Sequence, residues 1–165
     1  MWRGLHEWVG AVGVVVGITM SGCSRSAQAE ACATDQQALA AVIQHDQRVG
    51  LILHEVDALA AAGHGVEAAN HLDRFARPEA SLVRDEASRL RARTRWGKEQ
   101  QARLLELADL RISSISDYAD ALRSDDLGQV VQAMTAQRDV EQQALALQRA
   151  VALVPEPSTG RCEAP

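Results

Sequence analysis

The sequence predicts an all-α protein, an antiparallel bundle of three to four helices with coiled-coil-like packing. Of the 165 residues 47% are hydrophobic but only 3% aromatic, with a single Phe and a single Tyr. A core of that composition rests on Ala, Leu, Val and Ile. Such residues suit close-packed helices better than sheets, which lean on aromatic and β-branched side chains. From Thr34 to Val154 the apolar residues recur at alternating spacings of three and four, the period of one helix face. Breaks in that pattern coincide with residues that end or start helices, at Gly63, at Pro78 and at Ser124, Asp125 and Asp126.

The first helix is expected to start at Thr34, which forms a capping box with Gln37, and to stop at Gly63. Its stripe is Leu39, Val42, Asp46, Val49, Leu53, Val56 and Ala60, with Asp46 as the one polar interruption. A second stripe runs Val66, Ala69, Asp73, Ala76, Ala80, Val83, Ala87 and Leu90, and Pro78 within it requires a kink or a restart. The stripe lapses between Arg91 and Gln101, where Trp96 is the only large apolar residue. It resumes as Leu105, Ala108, Ile112, Ile115, Ala119 and Leu122. A new N-cap at 124–126 opens the last stripe: Val130, Ala133, Gln137, Val140, Ala144, Leu147, Val151 and Val154, before Pro155.

Two architectures fit these segments. A turn near Trp96 and Gly97 makes an up-down-up-down bundle of four helices. Without it, one long rod from Val66 to Arg123 carries the first and last helices folded back on its halves. The Arg and Gln residues around Gly97 are good helix formers, and one Gly costs only about 1 kcal/mol. On that ground the continuous rod is slightly favoured. Length alone indicates one domain with a modest core. The net charge of −5 speaks against nucleic acid as a partner, which would need a basic surface.

Residues 1–22 read as a targeting peptide. Arg3 and the terminal amine precede an uncharged run from Val9 to Met20, and the small residues Ser21 and Gly22 precede Cys23. As a helix that run would extend about 18 Å, well short of the ~30 Å hydrocarbon core of a bilayer. Met20-Ser21-Gly22-Cys23 resembles the bacterial lipoprotein signal, with Met where Leu is commonest. The resemblance covers about 23 residues at the N-terminus and implies cleavage before Cys23 and acylation of that cysteine. Several acyl chains anchor a protein stably where one does not. Ser24 follows the cysteine rather than the Asp that favours inner-membrane retention in that family, so the resemblance points to the outer membrane, facing the periplasm.

With Cys23 acylated, Cys32 and Cys162 remain as an even pair in a disulfide-permissive compartment. A bridge between them is expected, the alternative being two free thiols near the chain ends. Closing a loop of roughly 130 residues would stabilise by about 5 kcal/mol through lost unfolded-state entropy. The chain thus divides into a signal peptide at 1–22, a lipidated N-terminus and linker at 23–33, a helical domain at 34–154 and an irregular tail at 155–165. Fully extended, the linker from Ser24 to Ala31 reaches at most about 28 Å, which keeps the domain close to its membrane.

Candidate sites are sparse. A basic stretch from Arg84 to Arg103 stands out in an acidic protein, with Arg84, Arg91, Arg95 and Lys98 on one helical face and Trp96 nearby; this is the expected partner-binding region. His64, Glu67 and His71 lie at i, i+3 and i+7 and form a weak candidate metal set, although Gly63 and Gly65 flank the first of them. His45 with Asp46, and His54 with Asp57, read as exposed pairs. No nucleophile elbow, phosphate loop or paired ExxH motif occurs, so neither an enzyme nor a cofactor is expected. The expected function is a non-enzymatic structural or protein-interaction module, anchored by lipid in the cell envelope beside an unidentified protein partner. The alternative is a periplasmic metal-sensing or metal-buffering bundle.

Overall fold

The computed structural model describes the backbone of residues 20–164 and the side chains of residues 25–164 other than Pro157. Four antiparallel helical rods pack around one core. They are α1 (Met20–Ala61), a second rod spanning 65–89, α4 (Arg95–Ser124) and α5 (Leu127–Ala152). The second rod comprises α2 (Gly65–His71), a π-turn (Leu72–Ala76) and α3 (Arg77–Arg89). Helix α4 touches every other rod, with α5 on one side and α2–α3 on the other, and α1 closes the square.

The apolar stripes form the core. Leu39, Val42, Val49 and Val56 of α1 meet Ala69, Ala76, Ala80, Val83 and Ala87, together with Ile115, Ala119 and Leu122 of α4 and Ala133, Val140, Leu147 and Val151 of α5. The small alanines of the second rod let its backbone approach its neighbours closely. Val66, expected in the stripe, is instead exposed, and Leu72 is fully buried.

Each rod ends for a local reason. Gly63 adopts φ 83°, and the amides of Gly63 and His64 donate to the carbonyls of Ala60 and Leu59. This Schellman pattern is one that a residue without Cβ closes readily. Pro78 lacks an N–H and would crowd the preceding carbonyls of a regular helix. The wider π-turn just before it, with the Arg77 amide on the Leu72 carbonyl, lets the rod restart with Pro in its first turn. Asp125, at φ 56°, breaks the chain before α5, and Asp126 caps that helix by accepting from the amides of Gly128 and Gln129.

Two expectations need correction. The first helix does not begin at Thr34: it is already helical from Met20, and the Thr34 hydroxyl donates to the Glu30 carbonyl inside the helix. The segment expected as a linker at 23–33 contains neither Pro nor Gly and is rich in Ala, with Gln28 and Glu30 among them, which favours helix. The second correction concerns residues 90–94. The long rod is not formed, because the chain turns there and α4 starts afresh.

That turn is made from a distance. Thr94 is the N-cap of α4, its Oγ1 accepting from the Gly97 amide at 2.9 Å. Asp35 of α1, only 3% exposed, accepts from the Arg93 amide at 3.0 Å, the Thr94 amide at 2.9 Å and the Thr94 hydroxyl at 2.7 Å. Its carboxylate supplies the negative charge that favours a helix N-terminus, where the first turn of α4 has no acidic residue of its own. Asp35 can sit there because residue 97 is glycine: a Cβ at that position would lie 2.1 Å from Asp35 Oδ2.

Replacing Gly97 therefore reverses the usual helix-propensity rule. In an exposed helix interior Gly→Ala gains about 1 kcal/mol. Here Gly97→Ala is expected to displace Asp35 and cost roughly 2 kcal/mol or more, through lost caps and an unsatisfied buried carboxylate. Urea denaturation of the variant checks it, and a stabilised protein would contradict the Asp35 cap.

Candidate functional site

The end of the bundle that carries residue 32 of α1, the 90–94 turn and the C-terminal tail concentrates the features that the sequence singled out. Cys32 and Cys162 are joined there as a disulfide, with Cα atoms 5.4 Å apart. The tail is not loose. The Arg95 amide donates to the Glu163 carbonyl at 2.9 Å and the Trp96 amide to the Arg161 carbonyl at 3.0 Å, so the first turn of α4 binds the returning chain. Gln36 adds a bond from its side chain to the Val151 carbonyl at 3.1 Å. Bridge, cap and tail thus lock three segments at one level of the bundle.

The basic stretch divides. Arg91, Arg95 and Lys98 are exposed at this end, and Arg89 and Arg93 join them. Among the described residues none of these five forms an ion pair. Arg84 lies further along the bundle and donates from Nε to Asp109 Oδ1 at 2.6 Å. That bond and the Asp109 charge raise the Arg84 pKa, which keeps the guanidinium charged. Trp96 does not belong to the surface at all: it is 2% exposed, part of the core beneath the cap. As the only large apolar side chain in its run, it was the residue with most to gain from burial. Cys23 lies in α1 by its backbone, its side chain falls outside the described residues, and so does the apolar run before it up to residue 19.

The candidate metal set is not gathered. His64 Nδ1 sits 3.7 Å from Glu67, while His71 turns to Glu55 of α1 at 3.4 Å. Among the described residues no group of three His, Cys, Asp or Glu side chains is arranged to hold a metal ion. The other two sequence pairs also dissolve into contacts across helices. His45 pairs with Glu86 of α3 at 2.6 Å, Asp46 turns inward, and Asp57 accepts from the Tyr118 hydroxyl at 3.0 Å.

Asp46 and its partner are what the sequence reading missed. Arg111 of α4 is 2% exposed; its Nη2 donates to Asp46 Oδ2 at 3.0 Å, and its Nε lies 2.8 Å from Oδ1. Arg111 Nη1 and both polar atoms of buried Gln137 find no hydrogen-bond partner among the described residues. The ion pair forms the floor of a groove of about 330 Å³ between α1 and α5, walled by Ile43, Gly50, Leu51 and Leu145. Asp46, lone among apolar stripe residues, was the available signal: a buried carboxylate needs a cation.

Removing one member of this pair strands the other. Asp46→Ala is expected to cost about 3–5 kcal/mol, whereas Asp46→Leu with Arg111→Met should recover most of that loss. A double-mutant cycle by urea denaturation tests it, and additive losses would refute the coupling. Tyr118 gives an alkaline prediction. Burial, reinforced by Asp57, pushes its phenol well above the ordinary value of 10.0. A group whose pKa is raised by folding contributes stability fully present below its unfolded pKa and lost as pH rises beyond it. Stability should therefore fall above about pH 10 by up to about 1.4 kcal/mol per pH unit from this one group. Tyr118→Phe should flatten that part of the profile; an unchanged slope would show that the phenol does not contribute it.

No protein-family model matches the chain, and searches of curated proteins and of solved structures likewise find no match.

Proposed function

We propose that the chain is a cell-envelope lipoprotein, held by acyl chains on Cys23, which presents a disulfide-locked helical bundle as a non-enzymatic structural or protein-interaction module. The observation that carries this reading is the placement of Cys32 and Cys162. Their bridge closes the fold a short distance beyond Met20-Ser21-Gly22-Cys23, and such bridges persist in oxidising compartments. The lipoprotein-like signal and the bridge thus support the same side of the membrane. Ser24 after the cysteine favours the outer membrane, facing the periplasm.

The geometry of α1 sharpens the tether. Residues 24–31 are helical, so they extend about 12 Å instead of the 28 Å of a stretched linker. The bundle is then carried close to the lipid surface on a stiff stalk. Among the described residues the buried polar side chains Asp35, Thr94, Asp46 and Arg111 join helix to helix, which suits a module whose business is shape. The α1–α5 groove, with exposed Leu51 and Leu145 on its walls, is a surface where an envelope protein could be sought.

The intact mass of the protein extracted from membranes tests the reading. It should correspond to a chain starting at Cys23, carrying added acyl mass and lacking the two hydrogens of an oxidised thiol pair. Cys23→Ser should block both processing and acylation. Recovery of unacylated wild-type chain from the cell interior, still beginning at Met1, would overturn it.

A further inference from the structure

We infer that the disulfide-locked end is a headgroup-docking surface, which sets the orientation of the bundle on membranes containing anionic phospholipid; the inference rests on the acylated-Cys23 reading. The exposed cations Arg25, Arg89, Arg91, Arg93, Arg95 and Lys98 gather at the end from which α1 leads back to Cys23. The carboxylates at this end offset them in part and leave a modest positive excess. Asp35 is buried under the 93–94 amides, and Glu99 is held by Arg161 at 2.9 Å. Glu30, Glu156 and Glu163 remain exposed. The far end, where α4 meets α5, carries Asp117, Asp120, Asp125 and Asp126, all exposed. The molecule is thus charged oppositely at its two ends although its net charge is −5.

One argument favours lipid over an acidic protein as the occupant, and a second marks the surface as serving something other than the fold. The first is position: the helix from Cys23 to Cys32 rises only about 14 Å, so an anchor at Cys23 keeps these cations within one tilt of the headgroups. The second is that the cations work against the fold. Arg95 and Lys98 occupy the first turn of α4, where the helix dipole disfavours positive charge. A local rule broken in this way marks a surface selected for something other than stability.

Range decides how the docking works. With α1 upright, the cations other than Arg25 stand about 14 Å from the anchor. That exceeds the ~8 Å screening length at physiological salt. Attraction therefore acts once the stalk tilts and brings the rim down towards the headgroups, while the acidic end stays the farther of the two from the lipid. The result is a salt-dependent choice between upright and tilted bundles.

Cleavage before Cys23 removes Trp2 and Trp8, leaving Trp96, which lies at this end, as the single tryptophan of the mature chain. Energy transfer from Trp96 to a dansyl-labelled phospholipid therefore reports its distance from the headgroups. The mature acylated protein is reconstituted in neutral phosphatidylcholine vesicles and in vesicles in which about a third of the lipid is phosphatidylglycerol. Transfer should be roughly two-fold or more higher on the anionic vesicles, since each contacting cation favours the docked state by roughly five-fold. High salt should abolish the difference, as should Arg91→Ser, Arg93→Ser and Arg95→Ser combined. The salt arm on the unaltered protein keeps the test valid if the triple variant misfolds. Equal transfer on both vesicles would overturn the inference and leave the cations for an acidic protein. Failure of the anchor reading looks different: the protein would not float with neutral vesicles and would lack acyl mass, while charge-dependent binding to the anionic ones would still support headgroup docking.

Discussion

The carboxylate of Asp35 reaches across from α1 to the start of α4 and accepts from two backbone amides and a hydroxyl there. Much of the architecture follows from that contact. It turns the chain at 90–94, which makes four rods out of a sequence that could have made three. It demands glycine at 97, which in turn lets α1 and α4 approach until side chain meets backbone. It also sets the level at which Trp96 is buried and at which the tail returns to the amides of Arg95 and Trp96. A buried carboxylate so fully bonded to backbone groups is stabilised where a bare one would be expelled.

Further along α4 two more polar contacts tie it to α1, Arg111 with Asp46 and Tyr118 with Asp57. The core between them consists of similar aliphatic residues, and such a surface allows one helix to slip past another at little cost. Three polar contacts spaced along the same helix pair admit one register only. Buried ion pairs contribute little net stability compared with well-packed apolar replacements. Their effect here is to exclude shifted alternatives.

The stripes were legible because burial imposes its period on the sequence, and the ends at Gly63 and Asp126 were legible because their residues act locally. The turn at 90–94 was not. Its partner, Asp35, lies nearly sixty residues earlier, and the intervening Arg and Gln residues favour helix on any local scale. Gly97 read as a weak point in a rod, but its role is clearance for a side chain from another helix. Thr34 and Gln37 matched a capping box inside a longer helix, because nothing upstream stops the chain from continuing to coil. At the candidate site the cations were visible, but Trp96 was grouped with its charged neighbours when its size argued for the interior. Arg111 carried no local sign of burial, and only the isolated polar position of Asp46 hinted at it.

The bridge between Cys32 and Cys162 also determines how the molecule bears load. Tension entering through the N-terminus and leaving through the C-terminus would travel along one short stretch of α1, cross two sulfur atoms and exit through the last three residues. The rest of α1 and the other three rods lie outside that route, as a side loop that carries no strain. An oxidised chain can therefore be pulled at both ends without being unravelled. The same pull on the reduced chain would run through every helix in turn.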